Sequence, residues 1–371
     1  MRFFNSLFLQ AVCLTALLGS TQAHAQIEPV PEDPAFDKAR AQAVQYEFGA
    51  FTGAAGITIR YAKSTVEAAQ GTVVISAGRT EGFFKYREMT AHFNDAGYSV
   101  WIPDHRGQGA SDRLFGHCND TWDAQCEIGY IDNFQYYIDD LKTFIDDHVQ
   151  IQGELVIAAH SMGGGIASGY LLQNPNGPVA GAVMSSPMHG LRSAGLIRFG
   201  SWVLRLFGQD SQYLPGSGPH NPEGSGVVHS EGECCSRSVQ RKQFVGREEL
   251  EYFADALGRP SVGLGGVSPR WLRLSVEATE EIVSNAARAS QPILILSAGE
   301  ESLVSNDQQT AFCTTAPNCQ RVEISGALHE LYIESDEYRN QALTCVDEFL
   351  KALTVSGTQT SRCIDPEALG L

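Results

Sequence analysis

Residues 154–173, ELVIAAHSMGGGIASGYLLQ, decide how the chain folds. ELVIAAH is an apolar run of strand length, and MGGGIASGYLLQ has the length and small-residue face of a buried helix. A strand that runs straight into a helix leaves one residue at the turn, Ser161. Cβ atoms two positions to either side would collide with the neighbouring strand and helix, and here Ala159, the smallest departure from glycine, precedes while Gly163 and Gly164 follow. The stretch reads as a nucleophile elbow, Gly-x-Ser-x-Gly with alanine at the first glycine position.

The flanking segments repeat the strand and helix alternation. GITIRYAK (56–63), GTVVISAG (71–78), YSVWIPD (98–104), VAGAVMSS (179–186), PILILSAG (292–299) and QRVEISGA (320–327) read as strands. FFKYREMTAHFNDAG (83–97), IDNFQYYIDDLKTFIDDHV (131–149) and DEYRNQALTCVDEFLKAL (336–353) have helical apolar spacing. Such alternation predicts an α/β protein, a mainly parallel sheet with helices on both faces. Between Met188 and Gln291 no convincing buried strand occurs, so 189–289 reads as a cap inserted over the C-terminal edge of the sheet. The core is expected over 56–188 and 290–355, preceded by a loose Pro-rich arm at 26–55 and followed by a tail at 356–371.

Charge and targeting narrow the function classes. A net charge of −17 argues against nucleic acid and against docking on an anionic bilayer. No internal stretch approaches the roughly 20 apolar residues of a membrane span. Residues 1–25 combine an Arg, a short apolar run and AHA before Gln26, the pattern of a secretory signal peptide. The expected protein is therefore exported, periplasmic or secreted, with no stable membrane insertion.

Export changes the cysteine arithmetic. Of nine cysteines, Cys13 leaves with the signal, and the even remainder predicts disulfides rather than free thiols. Cys118–Cys126 and Cys313–Cys319 can close short loops, while adjacent Cys234 and Cys235 are expected to bond separate partners. No Cys-x-x-Cys pair supports a metal site.

A serine nucleophile needs a base, and in this fold the chain order is nucleophile, acid, histidine. His189, His220, His229 and His329 follow Ser161, and only His329 stands after the last strand and before the last helix. Glu300 and Glu301 both follow PILILSAG, with Asp307 the next acid. His160 reads as a packed core or pocket-wall residue pointing away from the nucleophile. Asp104, His105 and Arg106 precede the nucleophile and read as buried polar scaffolding.

AGRTEGFFKY (77–86), DHRGQGASDR (104–113), AHSMGG (159–164), FADALGRP (253–260) and GALHELYIESDEYR (326–339) resemble bacterial lysophospholipases of the monoacylglycerol-lipase-like group of α/β-hydrolases. The resemblance runs from about Gly71 to Leu350, and alanine before His-Ser is that group's own variant. It implies an α/β-hydrolase fold with Ser161 as nucleophile, His329 as base and Glu301 as acid, because the acid precedes a hydrophobic pair, here Leu303 and Val304. It implies an oxyanion hole from the amides of Met162 and Arg79. A triad of this kind needs no cofactor and no metal.

The apolar cap stretch 196–208 supplies Leu196, Phe199, Trp202 and Phe207 as candidate walls for one acyl chain. A monomer acting on a lipid-like small molecule, a lysophospholipid or a monoacylglycerol, is the expectation. Two rivals stand beside it. One is another esterase or a proline-type aminopeptidase, for which Glu231, Glu233, Glu248, Glu249 and Glu251 could hold a substrate amine. The other is a non-catalytic binding protein that kept the fold.

Overall fold

A computed structural model describes residues 30, 32–119, 121–219, 235–246, 263–354, 363–365 and 367–370. Its frame is one sheet of eight strands. In chain order these are β1 (Glu47–Thr52), β2 (Thr58–Ser64), β3 (Gly71–Ser76), β4 (Tyr98–Pro103), β5 (Glu154–His160), β6 (Val179–Ser185), β7 (Ile293–Ala298) and β8 (Cys319–Ile324). Their order across the sheet is β1-β2-β4-β3-β5-β6-β7-β8. β1, β2 and β4 pair antiparallel, and every pair from β4 onward is parallel. The expected α/β-hydrolase fold is therefore present.

The helices follow the same economy of burial. They are α1 (Lys38–Ala43), α2 (Arg87–Asp95), α3 (Gln135–Asp147), α4 (Met162–Gln173), α5 (Ala194–Leu206), α6 (Pro269–Ser284), α7 (Asn306–Thr315) and α8 (Asp336–Thr354). β3, β4 and β7 are buried at every position, which is why they read as continuous apolar runs. The core forms two clusters. One holds Trp101, Phe144, Ile157 and Ile166; the other holds Phe83, Phe93, Leu296 and Phe349. Gly97 takes φ +83° just after α2, the left-handed stop expected of a glycine there.

Two boundaries differ from the sequence reading. The sheet starts nine residues earlier than Gly56, with β1 at Glu47. The arm is also tied down where composition predicted a loose segment. Val30 pairs with Ser238, and Asp33, only 3% exposed, receives the Asp336 amide at 2.9 Å and bonds the Ser238 hydroxyl. Arg241, wholly buried, holds Glu88 and Asp336 at 2.8 Å each and lies 3.5 Å from Asp33. Proline and charge made the arm look solvated, but its carboxylate has buried cationic and amide partners.

Disulfides Cys118–Cys126 and Cys313–Cys319 are formed, as is Cys345–Cys363. Cys235 is disulfide-bonded; Cys234 and the expectation of separate partners lie outside the described residues. Among the described residues no helix is long and apolar enough to cross a membrane. Residues 189–289 contribute α5 and α6, which pack on each other, and no strand of the sheet comes from this segment among the described residues.

Candidate active site

β5 ends at His160 and α4 begins at Met162, so Ser161 alone makes the turn. Its φ of +50° with ψ of −120° is a conformation that L-residues adopt only when the surroundings impose it, at about 1–3 kcal/mol. The imposition is visible. Ser161 N donates to Ser185 O at 3.0 Å, while Ser161 O accepts from Met188 N at 2.8 Å and Gly164 N at 2.9 Å. A Cβ at Gly163 would lie 2.0 Å from the carbonyl oxygen of Ser76, so glycine is required there. Ala159 is fully buried and its methyl is accommodated.

The adjacent acids at the end of β7 part company. Glu301 is buried, and its Oε2 lies 2.7 Å from His329 Nδ1. Its Oε1 accepts the amides of Leu303 at 2.8 Å and Val304 at 3.2 Å, the hydrophobic pair that singled it out. Burial pushes this carboxyl up, but the hydrogen bond and charge of His329, with the two amides, outweigh it and hold the group below its usual range. Arg192 donates to the Glu301 carbonyl at 2.6 Å. Glu300 is half exposed and pairs with Arg237 at 2.9 Å.

The candidate oxyanion donors come from two elements. Met162 opens α4, where the first amides of a helix have no intrahelical acceptor. Arg79 lies in the turn after β3, where Gly78 N donates to Glu81 Oε2 at 2.5 Å. Gln108 Nε2 braces the same turn, donating to Gly78 O at 2.7 Å and Glu81 O at 3.0 Å. DHRGQG is thus scaffolding, as expected. Asp104 accepts the amides of Phe83 and Ala110 at 2.7 and 2.6 Å, and burial pushes its carboxyl up to about 7. Arg106 grips Asp140 with two bonds of 2.6 and 2.7 Å.

Among the described residues the other histidines take no part in the Glu301–His329 pair. His189 is buried, bonds Ser168 Oγ at 2.8 Å and stacks on Phe312 at 4.1 Å. His220, His229 and the five cap glutamates lie outside the described residues. His160 is buried as expected, and its ring centroid stands 4.8 Å from that of His329.

Sequence reasoning missed what surrounds His160. Its Nε2 lies 3.1 Å from Glu330 Oε2 and 3.5 Å from Glu81 Oε1. Lys85 Nζ reaches Glu81 Oε1 at 2.5 Å and also bonds Glu330. Lys85 therefore sits as a cation between the two carboxylates that with His160 have the spacing of a metal cluster. The available signal was Glu81 and Lys85 four apart among the apolar Phe83, Phe84 and Tyr86.

The four cap residues are placed differently from expectation. Leu196, Phe199, Trp202 and Phe207 are 53–59% exposed, so α5 presents an apolar surface rather than an enclosed slot. Ser201 and Leu204 are the positions that α5 buries.

With this geometry in place, comparison with known proteins is decisive for ancestry. The serine aminopeptidase S33 family profile matches residues 67–336. The chain belongs to that family. It is 30% identical to lysophospholipase L2 of Escherichia coli strain K12 over 308 residues, 81% of this chain and 86% of that protein. It is 28% identical to a probable lysophospholipase L2 of Haemophilus influenzae, over 75% of this chain and 83% of that one. A soluble variant of monoglyceride lipase from Saccharomyces cerevisiae superposes with a TM-score of 0.61 at 17% identity, covering 88% of this chain and all of that one. The S33 chain described here is thus a hydrolase of the group that its motifs resemble.

Proposed function

We propose that the protein is a serine hydrolase that cleaves the carboxylic ester of single-chain lipids, lysophospholipid or monoacylglycerol. The observation that carries the catalytic part is the Glu301–His329 contact of 2.7 Å, with a serine held at φ +50° one residue after His160, whose ring stands 4.8 Å from that of His329. The lysophospholipases at 28–30% identity support the substrate class.

In this reading His329 Nε2 takes the Ser161 hydroxyl proton as Oγ attacks the ester carbonyl. The oxyanion that forms is received by the amides of Met162 and Arg79, each typically worth about 2.7–4 kcal/mol in the barrier. The C–O bond to the glycerol breaks, and His329 returns the proton to the leaving alkoxide. Water, deprotonated by His329, then attacks the acyl-enzyme and releases the fatty acid. Glu301 holds the imidazole in its tautomer and stabilises the cation.

The exposed apolar residues of α5 are where we place first contact with the acyl chain. α5 follows Arg192, which is bonded to the Glu301 carbonyl, so this surface starts beside the candidate acid. We further propose an exported monomer beginning at Gln26; the disulfides are compatible with an oxidising compartment.

The test is a fluorophosphonate probe followed by a substrate panel. Labelling of wild type but not Ser161→Ala, with long-chain lysophosphatidylcholine or monoacylglycerol preferred over p-nitrophenyl acetate and proline amides, is expected. Faster cleavage of proline amides would replace the lipid reading with the peptidase one.

A further inference from the structure

Four ionisable side chains form a buried group that adjoins the turn carrying Arg79, the residue before Ser161 and the His329 loop. Lys85 is 6% exposed, Glu81 5%, Glu330 16% and His160 2%. Glu81 holds the turn that carries the Arg79 amide, through its 2.5 Å bond to Gly78 N. His160 immediately precedes Ser161, and Glu330 immediately follows His329. Tyr86 donates to Glu81 Oε2 at 2.5 Å and closes the group on the far side.

Resting on the serine-hydrolase reading above, we propose that Lys85 is a positioning residue whose ammonium, bridging Glu81 and Glu330, locks the oxyanion turn against the His329 loop. Its partner His160 fills the space between the two carboxylates and backs the His329 ring.

Charge makes the arrangement more than packing. Unpaired charges are not tolerated in such burial, so removing one partner leaves the others exposed to each other's field. Burial pulls the His160 imidazole down, but Glu330 and Glu81 outweigh it and hold its protonated form. Burial pushes Glu330 up, but Lys85 and His160 hold it well below the usual carboxylate range. Lys85, joined by His160 when its ring is protonated, thus faces two carboxylates. His329 faces Glu301 from the loop after β7, Glu330 from its own loop and His160 from β5, and the groups packed around His160 in turn are Glu330, Glu81, Lys85 and Tyr332.

A purely structural salt bridge and a positioning cluster make different predictions for pH. Lys85→Met deletes a positive charge near His329, so the acid limb of kcat/KM moves to higher pH by about one unit. Glu330→Gln keeps the side chain's size and deletes a negative charge, so the limb moves to lower pH. Both variants lose about 10- to 100-fold in kcat, the effect of a small displacement of the reacting groups. KM for the same substrate changes far less. Lys85→Arg, which keeps the charge, recovers most of the kcat that Lys85→Met loses.

The experiment measures kcat and KM against pH for wild type and these variants, with near-UV circular dichroism to establish folding and Ser161→Ala in the same assay. Opposite displacements of the limb support the proposal. A folded Lys85→Met with wild-type kcat and an unmoved limb overturns it, and if Lys85→Met fails to fold, Glu330→Gln decides alone. Residual turnover in Ser161→Ala would instead remove the serine-hydrolase reading itself, so the two failures are told apart.

Discussion

His329 Nδ1 lies 2.7 Å from Glu301 Oε2, while Glu300, one residue earlier, turns away to Arg237. Two neighbouring carboxylates therefore have unequal work. Glu301→Gln should lower kcat by about 10²–10⁴, because the imidazole loses the partner that fixes its tautomer. Glu300→Gln should stay within about threefold of wild type, since an exposed ion pair contributes little. Equal losses in steady-state kinetics would contradict the division.

Ser161→Ala should lose about 10⁴–10⁶ in kcat with the fold intact. Ser161→Gly should be equally inactive yet melt at a higher temperature than wild type. Glycine adopts a φ of +50° freely, whereas serine there is strained. Calorimetry of the two variants separates the chemical role of the hydroxyl from the backbone strain of the turn.

Stability should fall on acidification in a way that Glu330 helps to set. Its carboxyl is held below the ordinary value in the folded chain, as is that of Glu301. A depressed acid stabilises the fold above its unfolded pKa of about 4.3, and the contribution is lost as pH falls through the folded value. His160, held above its ordinary value, acts oppositely: its stabilisation is present below about 6.5 and fades as pH rises through the folded value. Melting temperatures of wild type between pH 3 and 5 should drop more steeply than those of Glu330→Gln.

Intact-mass analysis of the mature protein without reduction should find no alkylatable thiol. Peptide mapping should recover the Cys118–Cys126, Cys313–Cys319 and Cys345–Cys363 crosslinks. Free thiols at any of these six positions would argue against the oxidising compartment.

Trp202→Ala with Phe207→Ala should flatten the chain-length preference. Each methylene buried against such a surface is worth about 0.8 kcal/mol. The ratio of kcat/KM for long over short acyl esters should therefore fall several-fold, and an unchanged ratio would place the acyl chain elsewhere.

How much of this was legible in the sequence depends on what each residue had to reveal. Ser161 was readable because an apolar strand and a glycine-rich helix leave one turn residue, and sterics at Gly163 enforce it. His329 was readable from its position after β8. Glu300 and Glu301 were separable only by the family pattern, as their burial depends on which side chain the loop turns inward. The outward face of α5 was not readable, because an amphipathic pattern does not say which apolar residues a neighbour covers. Nor was the Lys85 cluster, whose partners Glu81 and Glu330 are remote in sequence.

The buried junction of Asp33, Ser238, Arg241 and Asp336 carries a further consequence, one of timing. It joins residues 205 and 303 positions apart, so its loops are the longest to close and it forms late in folding. Glu301 and His329 themselves belong to the last fifth of the chain. A nascent polypeptide carries Ser161 before its acid and its base have been made. Ester-cleaving capacity would then arise only after the whole chain has been made.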